Sequence, residues 1–322
     1  MKIYLKPGTA CPLTDAAMAS EYDLELVAEP SDANWIVAAS IKLLIAYSLR
    51  YPSKRFLYYS NEPRHSALMK KQYQAIPMFP AIEIMNAFTG DVFWNNFHFL
   101  GSYHFDTSNN LDIDLHRPLA PLSKEGARRR KRKTAATFFT YRPTSKSLVV
   151  DGIDRNLEVV RRTYALVLNQ AGLCDIYGGG WPDGISQESS GFQSSHPSHL
   201  NWWTRKLQVL SDYRYNLCLE NTAASHYCTE KLWHAIQAGT LPIYSSQNTT
   251  IFETFPEESF IDVAEFRDPG QLVECLKTMS ETEYINRVNR CRETFNACIA
   301  ERQKTIAHEA RAHIEKLLAR LN

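Results

Sequence analysis

The sequence has almost no net charge, no long apolar run and no closely paired cysteines. A formal net charge of +1 provides no whole-molecule field to steer the protein to nucleic acid. The longest apolar candidate, residues 35–47, is interrupted by Ser40 and Lys42 and falls short of the ~18 residues that span a bilayer. The first residues lack the apolar stretch of a signal peptide. Seven scattered cysteines without a C-x-x-C pair predict reduced thiols in a cytoplasmic protein.

What the sequence does contain is the composition of a globular protein. Hydrophobic residues make up 44% and charged residues 22% of the 322 residues, enough for two domains with separate cores. Short β-rich runs at 2–5, 35–38 and 55–59 alternate with helical stretches such as 41–50. Strands that alternate with helices predict an α/β fold with parallel sheets.

A change of character at residues 118–133 predicts the boundary between the two domains. Pro118 and Gly126 break regular structure there, and a basic run follows at 128–133. Beyond it, strands are predicted at 136–140, 174–177, 215–219 and 241–244 and helices at 155–171 and 230–237, and a long amphipathic helix, roughly 282–321, ends the chain. We therefore predict domains over 1–130 and 131–295, followed by a C-terminal helix, 296–322, that could pack back on the first domain.

The most informative segment, residues 213–244, has the pattern of a strand, a loop, a helix, a turn and a strand. Thr229 is predicted to cap the helix through its hydroxyl, and Gly239 to end it. Free N–H groups and the dipole at a helix N-terminus favour an anion. Lys231 adds a positive charge that is expected to be exposed, and Glu230 can accept two hydrogen bonds, as a ribose diol would offer. These features alone fit either a phosphate site or an ordinary helix start.

The same segment carries a longer motif. It contains Tyr213-Arg-Tyr-Asn-Leu-Cys-Leu-Glu220-Asn221 and then Tyr227-Cys-Thr229-Glu230-Lys231, with Pro-Ile-Tyr at 242–244 and a further match at 260–269. In residue types and spacing it resembles the donor motif of the alpha-1,3/4-fucosyltransferases, glycosyltransferase family 10. The resemblance is strong over residues 213–270, fades toward 136–180 and is thin before residue 130.

This resemblance implies a GT-B fold, in which two Rossmann-like domains face a cleft, and inverting transfer of fucose from GDP-fucose. Residues 1–130 would then form the acceptor side and 131–295 the donor side. The motif implies that Asn221 and Tyr227 line the donor site, that Glu230 holds the ribose and that Lys231 neutralises the diphosphate. Further donor-binding candidates in the same motif are Tyr213, Glu220 and Thr229.

The resemblance also implies an arginine that binds phosphate on the first helix of the donor domain. Family members carry it about seven residues before a Leu-Asn or Leu-Gln pair, and Arg161 has that spacing to Leu168-Asn169. A planar guanidinium can hold phosphate oxygens with two parallel hydrogen bonds. Arg162 is the alternative, and both arginines could instead form one solvated helix face.

The catalytic base implied by the resemblance is a glutamate just after a strand of the first domain. Glu62 follows the apolar run 56–59 and precedes Pro63, so we predict that it removes the proton of the acceptor hydroxyl. Glu83 is the next candidate. The alternative for Glu62 is an ordinary loop carboxylate in water.

The predicted activity is fucose transfer to a glycan hydroxyl, on a bacterial cell-surface precursor such as lipopolysaccharide. No metal is predicted to be required, although Mn²⁺ could stimulate, and Asp112-Ile-Asp114 is too short a motif to indicate a metal site. The expected location is the cytoplasm, where the run 128–133 would be a solvated linker or a peripheral contact with the inner face of the membrane. The alternatives are a GT-B transferase with another nucleotide-sugar donor and, more distantly, a nucleic-acid-binding protein that uses 128–133.

Overall fold

The structure, a computed structural model, describes residues 1–9, 11–14, 16–63, 69–90, 92–100, 117–130, 133–188 and 202–321. The chain divides into two compact units. Among the described residues, unit 1 comprises Met1–Asn95 and 303–321, and unit 2 comprises 96–100 and 117–302. Each unit contains a six-stranded, largely parallel sheet, which confirms the predicted α/β class. That two domains face a cleft stays a prediction.

Unit 1 is built on a sheet whose central strands are buried. Its elements are β1 (Lys2–Leu5), α1 (Ala16–Glu21), β2 (Glu25–Leu26), β3 (Trp35–Ala38), α2 (Ile41–Arg50), β4 (Arg55–Ser60), β5 (Gln72–Tyr73) and β6 (Ile82–Asn86). The strand order is β2-β1-β3-β4-β6-β5, and only β5 pairs in antiparallel fashion. Without β5, this is the 2-1-3-4-5 order of a doubly wound flavodoxin-like sheet.

Unit 2 has a fully parallel sheet and a separate hairpin. Its elements are α3 (Lys124–Arg130), β7 (Lys133–Phe138), β8 (Val149–Val150), β9 (Ile153–Asp154), α4 (Glu158–Gln170), β10 (Cys174–Tyr177), β11 (Ser186–Glu188), α5 (Trp202–Leu210), β12 (Tyr213–Leu217), α6 (Glu230–Gln237), β13 (Leu241–Tyr244), β14 (Ile261–Asp262) and α7 (Pro269–Thr278). The last helix, α8 (Glu281–Leu321), is assigned to unit 2 up to Arg302 and to unit 1 beyond it.

The strand order of unit 2 locates a ligand-binding edge. It is β11-β10-β7-β12-β13-β14, so the six strands counted along the chain lie in the order 3-2-1-4-5-6. This is the Rossmann order, in which ligands bind outside the carboxyl ends of the strands where the winding reverses. In this sheet the reversal lies between β7 and β12.

Several predicted elements are confirmed at the same bounds, namely the helices 41–50 and 230–237 and the strands 174–177 and 241–244. The strands predicted at 136–140 and 215–219 instead begin and end earlier, as β7 and β12. They begin earlier because Lys133 pairs with Tyr213. Beyond β7 the chain lies against the loop after β10, where Tyr141 N–H donates to Gly179 O at 2.9 Å.

Regular structure also occupies the predicted linker at 118–133, and this part of the prediction was wrong. Residues 124–130 form α3, and Lys133 opens β7. Arg128 lies 3.2 Å from Glu281, and the Lys133 ammonium donates to Asp175 at 2.7 Å. Of the helices in the described ranges, none is both long and apolar enough to cross a membrane.

Candidate functional site

The predicted donor residues, apart from Tyr213, lie toward the carboxyl edge of the sheet of unit 2. The chain leaves β12 at Leu217, passes through the loop that contains Glu220 and Asn221, and enters α6 at Glu230. A small cavity at this edge is lined by Phe139 from beyond β7, by Leu219 and by Lys231, among others. The motif therefore lies at the point where the winding of the sheet reverses.

Glu220 is the centre of a buried hydrogen-bond cluster. Its side chain, 2% exposed, accepts hydrogen bonds from the Thr229 N–H at 2.8 Å and from the Thr229 hydroxyl at 2.8 Å. The Lys231 ammonium lies 3.1 Å from its second oxygen, and the Tyr244 hydroxyl donates from 3.4 Å. Because Glu220 is buried and bonded to both residues, it fixes the orientation of Thr229 and Lys231.

The predicted capping role of Thr229 was wrong. Thr229 occupies the N-cap position of α6, but its side chain makes no capping hydrogen bond. Its hydroxyl donates to Glu220 and accepts from Lys231 at 2.8 Å. Because the hydroxyl is used in the cluster, it leaves the first-turn N–H groups of α6 without this cap.

Lys231 is not exposed as predicted. Only 19% of its side chain is exposed, and its ammonium lies 3.1 Å from Glu220 and 3.4 Å from Glu230. The helix start thus tolerates a positive charge because two carboxylates compensate it within the protein. An anion that binds here would have to share or replace those partners.

The two carboxylates differ in their electrostatic surroundings. Burial raises the pKa of Glu220, and Lys231 opposes that effect. Burial also acts to raise the pKa of Glu230, but Lys231 and Lys206 outweigh it and hold this pKa at about 2. Glu230 is therefore a charged acceptor at neutral pH, as a contact with a ribose diol requires.

Arg161 belongs to the same edge of the sheet. Its residue is 5% exposed, its guanidinium lies 2.7 Å from Glu158 one turn earlier on α4, and it stacks 4.5 Å from the centre of the Phe139 ring. Phe139 also lines the cavity that Lys231 lines. The structure therefore associates the Arg161 side chain, through Phe139, with the predicted phosphate site.

Arg162 has different neighbours. Its guanidinium donates to the carbonyl oxygens of Arg142 at 2.6 Å and Pro143 at 3.2 Å. It also lies over the Tyr141 ring at 5.5 Å. These contacts fasten the segment after β7, which is a structural role, so the geometry favours Arg161 over Arg162.

Asn221 and Tyr227 lie in the loop between β12 and α6. The carbonyl oxygen of Asn221 accepts from Leu157 N–H at 3.0 Å, which ties the loop to the start of α4. Tyr227 is 2% exposed and packs edge-on against Phe99, with 6.1 Å between the ring centres. Both residues help to hold the loop, and direct contact with a donor stays a prediction for each.

Tyr213, by contrast, is not part of this cluster. It is the first residue of β12, at the amino edge of the sheet. Its hydroxyl donates to Asp175 at 2.5 Å and lies 2.9 Å from the Tyr177 hydroxyl. A strand rises about 3.3 Å per residue, so the length of β12 separates Tyr213 from the edge that carries Glu220.

The predicted base, Glu62, lies in unit 1, two residues beyond the end of β4. It is exposed, and its backbone N–H donates to the Ser60 hydroxyl at 3.1 Å. The second candidate, Glu83, lies inside β6, where its carboxylate accepts from Gln72 at 2.5 Å. Glu62 is thus the one of the two that follows the carboxyl end of a strand. Its catalytic role stays a prediction.

Sequence reasoning missed three residues that contact the candidate site, namely Glu158, Lys206 and His234. Glu158 is the buried partner of Arg161. Lys206 is 3% exposed, and its ammonium lies 3.5 Å from Nδ1 of His234, which is fully buried. A signal was present for Lys206, because it precedes the fully buried Leu210 by four residues and shares its helix face.

The glycines at 178–180 have a packing role. A Cβ atom at Gly178 would lie 2.5 Å from the Phe139 carbonyl oxygen, and one at Gly180 would lie 2.8 Å from that of Tyr141. Both glycines also have positive φ. They let the loop after β10 lie against the segment after β7, and so they position Phe139 beside Arg161.

Chemically, this edge can hold an anion next to a diol. Lys231 and Arg161 supply positive charge, and Glu230 supplies a charged acceptor. Within the described ranges, no three His, Cys, Asp or Glu side chains converge as metal ligands would. Asp112 and Asp114 lie outside the described residues.

Comparison with known proteins identifies the family. The sequence profile of glycosyltransferase family 10 (fucosyltransferase), C-terminal part, matches residues 150–315, just over half of the chain. This match includes the whole cluster around Glu220 as well as Arg161. The protein belongs to glycosyltransferase family 10.

Individual relatives match a shorter stretch. An alpha-(1,4)-fucosyltransferase of Arabidopsis thaliana is 30% identical over 88 residues, 27% of this chain and 22% of that protein. A GDP-fucose protein O-fucosyltransferase 3 of Gallus gallus is 30% identical over 76 residues, 24% of this chain and 16% of that protein. The matched stretches thus span less than a quarter of either relative. The crystal structure of an alpha1,3-fucosyltransferase with GDP-fucose aligns over 89% of this chain and 81% of its own, with 15% identity and a TM-score of 0.46.

Proposed function

We propose that this protein is an inverting fucosyltransferase that transfers fucose from GDP-fucose to a hydroxyl group of a glycan. The observation that carries the proposal is the buried cluster in which Glu220 and Thr229 orient Lys231 beside Glu230. Family membership supports the reaction type, and the name of the Gallus gallus relative includes GDP-fucose as its donor.

In the proposed reaction the acceptor oxygen attacks C1 of fucose while the bond from C1 to the β-phosphate oxygen breaks. The bonding electrons leave with GDP, and the acceptor proton passes to the Glu62 carboxylate. Lys231 and Arg161 stabilise the negative charge that develops on the departing diphosphate, and Glu230 holds the ribose. Attack opposite the leaving group inverts the configuration at C1.

We further propose that the acceptor is a bacterial cell-surface glycan precursor. The protein would meet it at the inner face of the cytoplasmic membrane, where basic residues of the run 128–133 would contact anionic lipid. The Arg128 side chain pairs with Glu281 at 3.2 Å and is nevertheless 74% exposed, so such a contact would add lipid to its existing partner.

The experiment is a donor panel followed by a glycan array. GDP-fucose, GDP-mannose, UDP-glucose and UDP-galactose are each incubated with the protein and with lactose- and N-acetyllactosamine-containing glycans, and released nucleotide is measured. We expect release from GDP-fucose alone and a fucosylated product. Release from a UDP-sugar instead would assign the chain to another donor, and no release from any donor would contradict the proposal.

Donor binding can be tested separately from transfer. A ligand that binds only the folded state must stabilise it, by about 2.7 kcal/mol at a hundredfold excess over Kd. We therefore expect GDP to raise the melting temperature in the presence of EDTA. Stabilisation that requires Mn²⁺ would show that a metal, rather than Lys231 and Arg161, holds the diphosphate.

A further inference from the structure

A second lysine is buried near Lys231. Lys206, on α5, is 3% exposed, although a lysine is almost never fully buried without a compensating partner. It lines the same small cavity as Lys231 and Phe139 at the carboxyl edge of the sheet. Its burial at this position requires a reason, because an ammonium group loses most of its hydration there.

The contacts of Lys206 bring it to one face of α6. Its ammonium donates to Nδ1 of His234 at 3.5 Å. His234 follows Glu230 by four residues, so the two side chains lie on the same helix face, with about 5–6 Å between their Cβ atoms. Lys206 therefore lies beside the helix face that carries Glu230.

The charges of the cluster change when a diphosphate binds. In the structure, Lys231 is shared between Glu220 and Glu230. A diphosphate that takes over the Lys231 ammonium leaves both carboxylates buried with weaker compensation, which is costly. Lys206 is a second source of positive charge for Glu230, since it lines the same cavity as Lys231 and, like Lys231, lowers the pKa of that carboxylate.

We propose that Lys206 is a positioning residue that keeps the Glu230 carboxylate charged and directed at the ribose while Lys231 is engaged by the diphosphate. This inference rests on the proposed function. It assigns Lys206 no contact with the donor. Its effect on binding should therefore depend on Glu230 and on the ribose hydroxyls, and not on the phosphates.

The test is a double-mutant cycle read with two nucleotides. GDP and 2′-deoxy-GDP are titrated by calorimetry into wild type, Lys206→Met, Glu230→Gln and the double variant. The matched control is Lys277→Met, which removes an exposed lysine on α7. We expect Lys206→Met to weaken GDP binding about tenfold and to reduce the preference for GDP over the deoxy nucleotide. In the Glu230→Gln background it should change either affinity by less than about threefold, because the residue through which it acts is gone.

Other outcomes overturn the inference in distinct ways. Equal weakening of both nucleotides that persists in the Glu230→Gln background would make Lys206 a direct phosphate ligand. A lower melting temperature with an unchanged nucleotide preference would leave it a structural residue only. If Lys206→Met does not fold, the test uses Lys206→Arg, which keeps the charge. The preference of this variant for GDP over 2′-deoxy-GDP must then stay within about twofold of wild type. A wild-type protein that binds neither nucleotide would instead contradict the proposed function.

Discussion

The carboxyl edges of the two sheets differ in how their polar groups are satisfied. In unit 2 the edge carries paired charged side chains: the buried Glu220 pairs with Lys231, which is 19% exposed, and the buried Arg161 pairs with Glu158. In unit 1 the edge is closed by uncharged turn residues. Asn86, fully buried at the end of β6, accepts from the N–H groups of Phe88 and Thr89 at 3.0 and 3.1 Å, and Glu62, two residues beyond the end of β4, is exposed.

The two edges suit two different requirements of a transferase, donor binding and proton removal. A buried charge cluster is a fixed electrostatic environment, which suits a donor whose diphosphate must be stabilised as it leaves. A proton acceptor must instead be within reach of the acceptor hydroxyl, and the exposed position of Glu62 suits that requirement. We therefore expect changes at the edge of unit 1 to affect transfer alone and changes at the edge of unit 2 to affect donor binding first.

Glu62→Gln should give the largest effect. Glutamine keeps the shape of the side chain but cannot accept a proton at neutral pH, so transfer should fall by about 10²–10⁴-fold. GDP should bind as tightly as to wild type. The measurements are transfer rates at saturating acceptor and a GDP titration of the same preparation.

Glu83→Gln is the matched control for that prediction, because Glu83 is a carboxylate of the same unit that is already bonded to Gln72. Its transfer rate should stay within about threefold of wild type, a difference of less than 1 kcal/mol in the barrier. An active Glu62→Gln enzyme together with an inactive Glu83→Gln enzyme would move the base to Glu83.

Lys231→Ala should lower kcat/KM by an amount that corresponds to a loss of roughly 2–4 kcal/mol of transition-state stabilisation. This is comparable to the loss of one preorganised donor in an active site. It should also destabilise the fold by about 3–5 kcal/mol, because Glu220 and Glu230 lose the cation between them. Activity and thermal unfolding are measured on the same variant. Turnover within about threefold of wild type would remove Lys231 from the site.

The two losses can be separated with a second substitution. Glu220→Gln removes one of the two carboxylates, so Lys231→Ala combined with Glu220→Gln should recover much of the stability and none of the GDP affinity. Recovery of GDP binding in the double variant would show that Lys231 supports the fold and does not touch the diphosphate.

Arg161→Lys should weaken GDP binding by about tenfold or more, since lysine keeps a charge for Glu158 but loses the planar fork that binds phosphate. Arg162→Lys is the matched comparison on the next residue of α4. It should change GDP affinity by less than about threefold, because Arg162 donates to backbone carbonyl groups. If Arg162→Lys weakens GDP binding more than Arg161→Lys does, Arg162 is the residue that binds the phosphate.

The sequence was sufficient to predict the alternation of strands and helices, and α6 and β13 have the predicted bounds, because strong local signals delimit them. It could not predict that the Thr229 hydroxyl would not cap α6, since Glu220, to which this hydroxyl donates, lies nine residues away. The position of Lys206 on the helix face of Leu210 was a signal of its burial, but its contact with His234 depends on how α5 packs against α6, which no local pattern specifies. The distinction between Arg161 and Arg162 needed the position of Phe139 in space.

The smallest predicted effect is an acid sensitivity that both units share. His234 in unit 2 and His313 in unit 1 are fully buried. Burial, with Lys206 close to one and Lys316 to the other, lowers the pKa of each to about 3. The unfolded chain takes up a proton on each near its ordinary pKa of about 6.5, while the folded protein does not. The stability contributed by keeping them neutral is therefore complete above pH 6.5 and is lost as the pH falls toward 3.

At pH 5.5 each histidine should lower the free energy of unfolding by about 1.4 kcal/mol compared with its value at neutral pH. The measurement is urea unfolding at pH 7.5 and 5.5 for wild type, His234→Asn and His313→Asn. Each variant should lose about 1.4 kcal/mol less than wild type between the two pH values, whatever its stability at pH 7.5. A variant with the wild-type pH dependence would show that its histidine is protonated in the folded state. For His234, that would mean that the ring cannot accept the hydrogen bond from Lys206, and it would weaken the assignment of Lys206 to the face of Glu230.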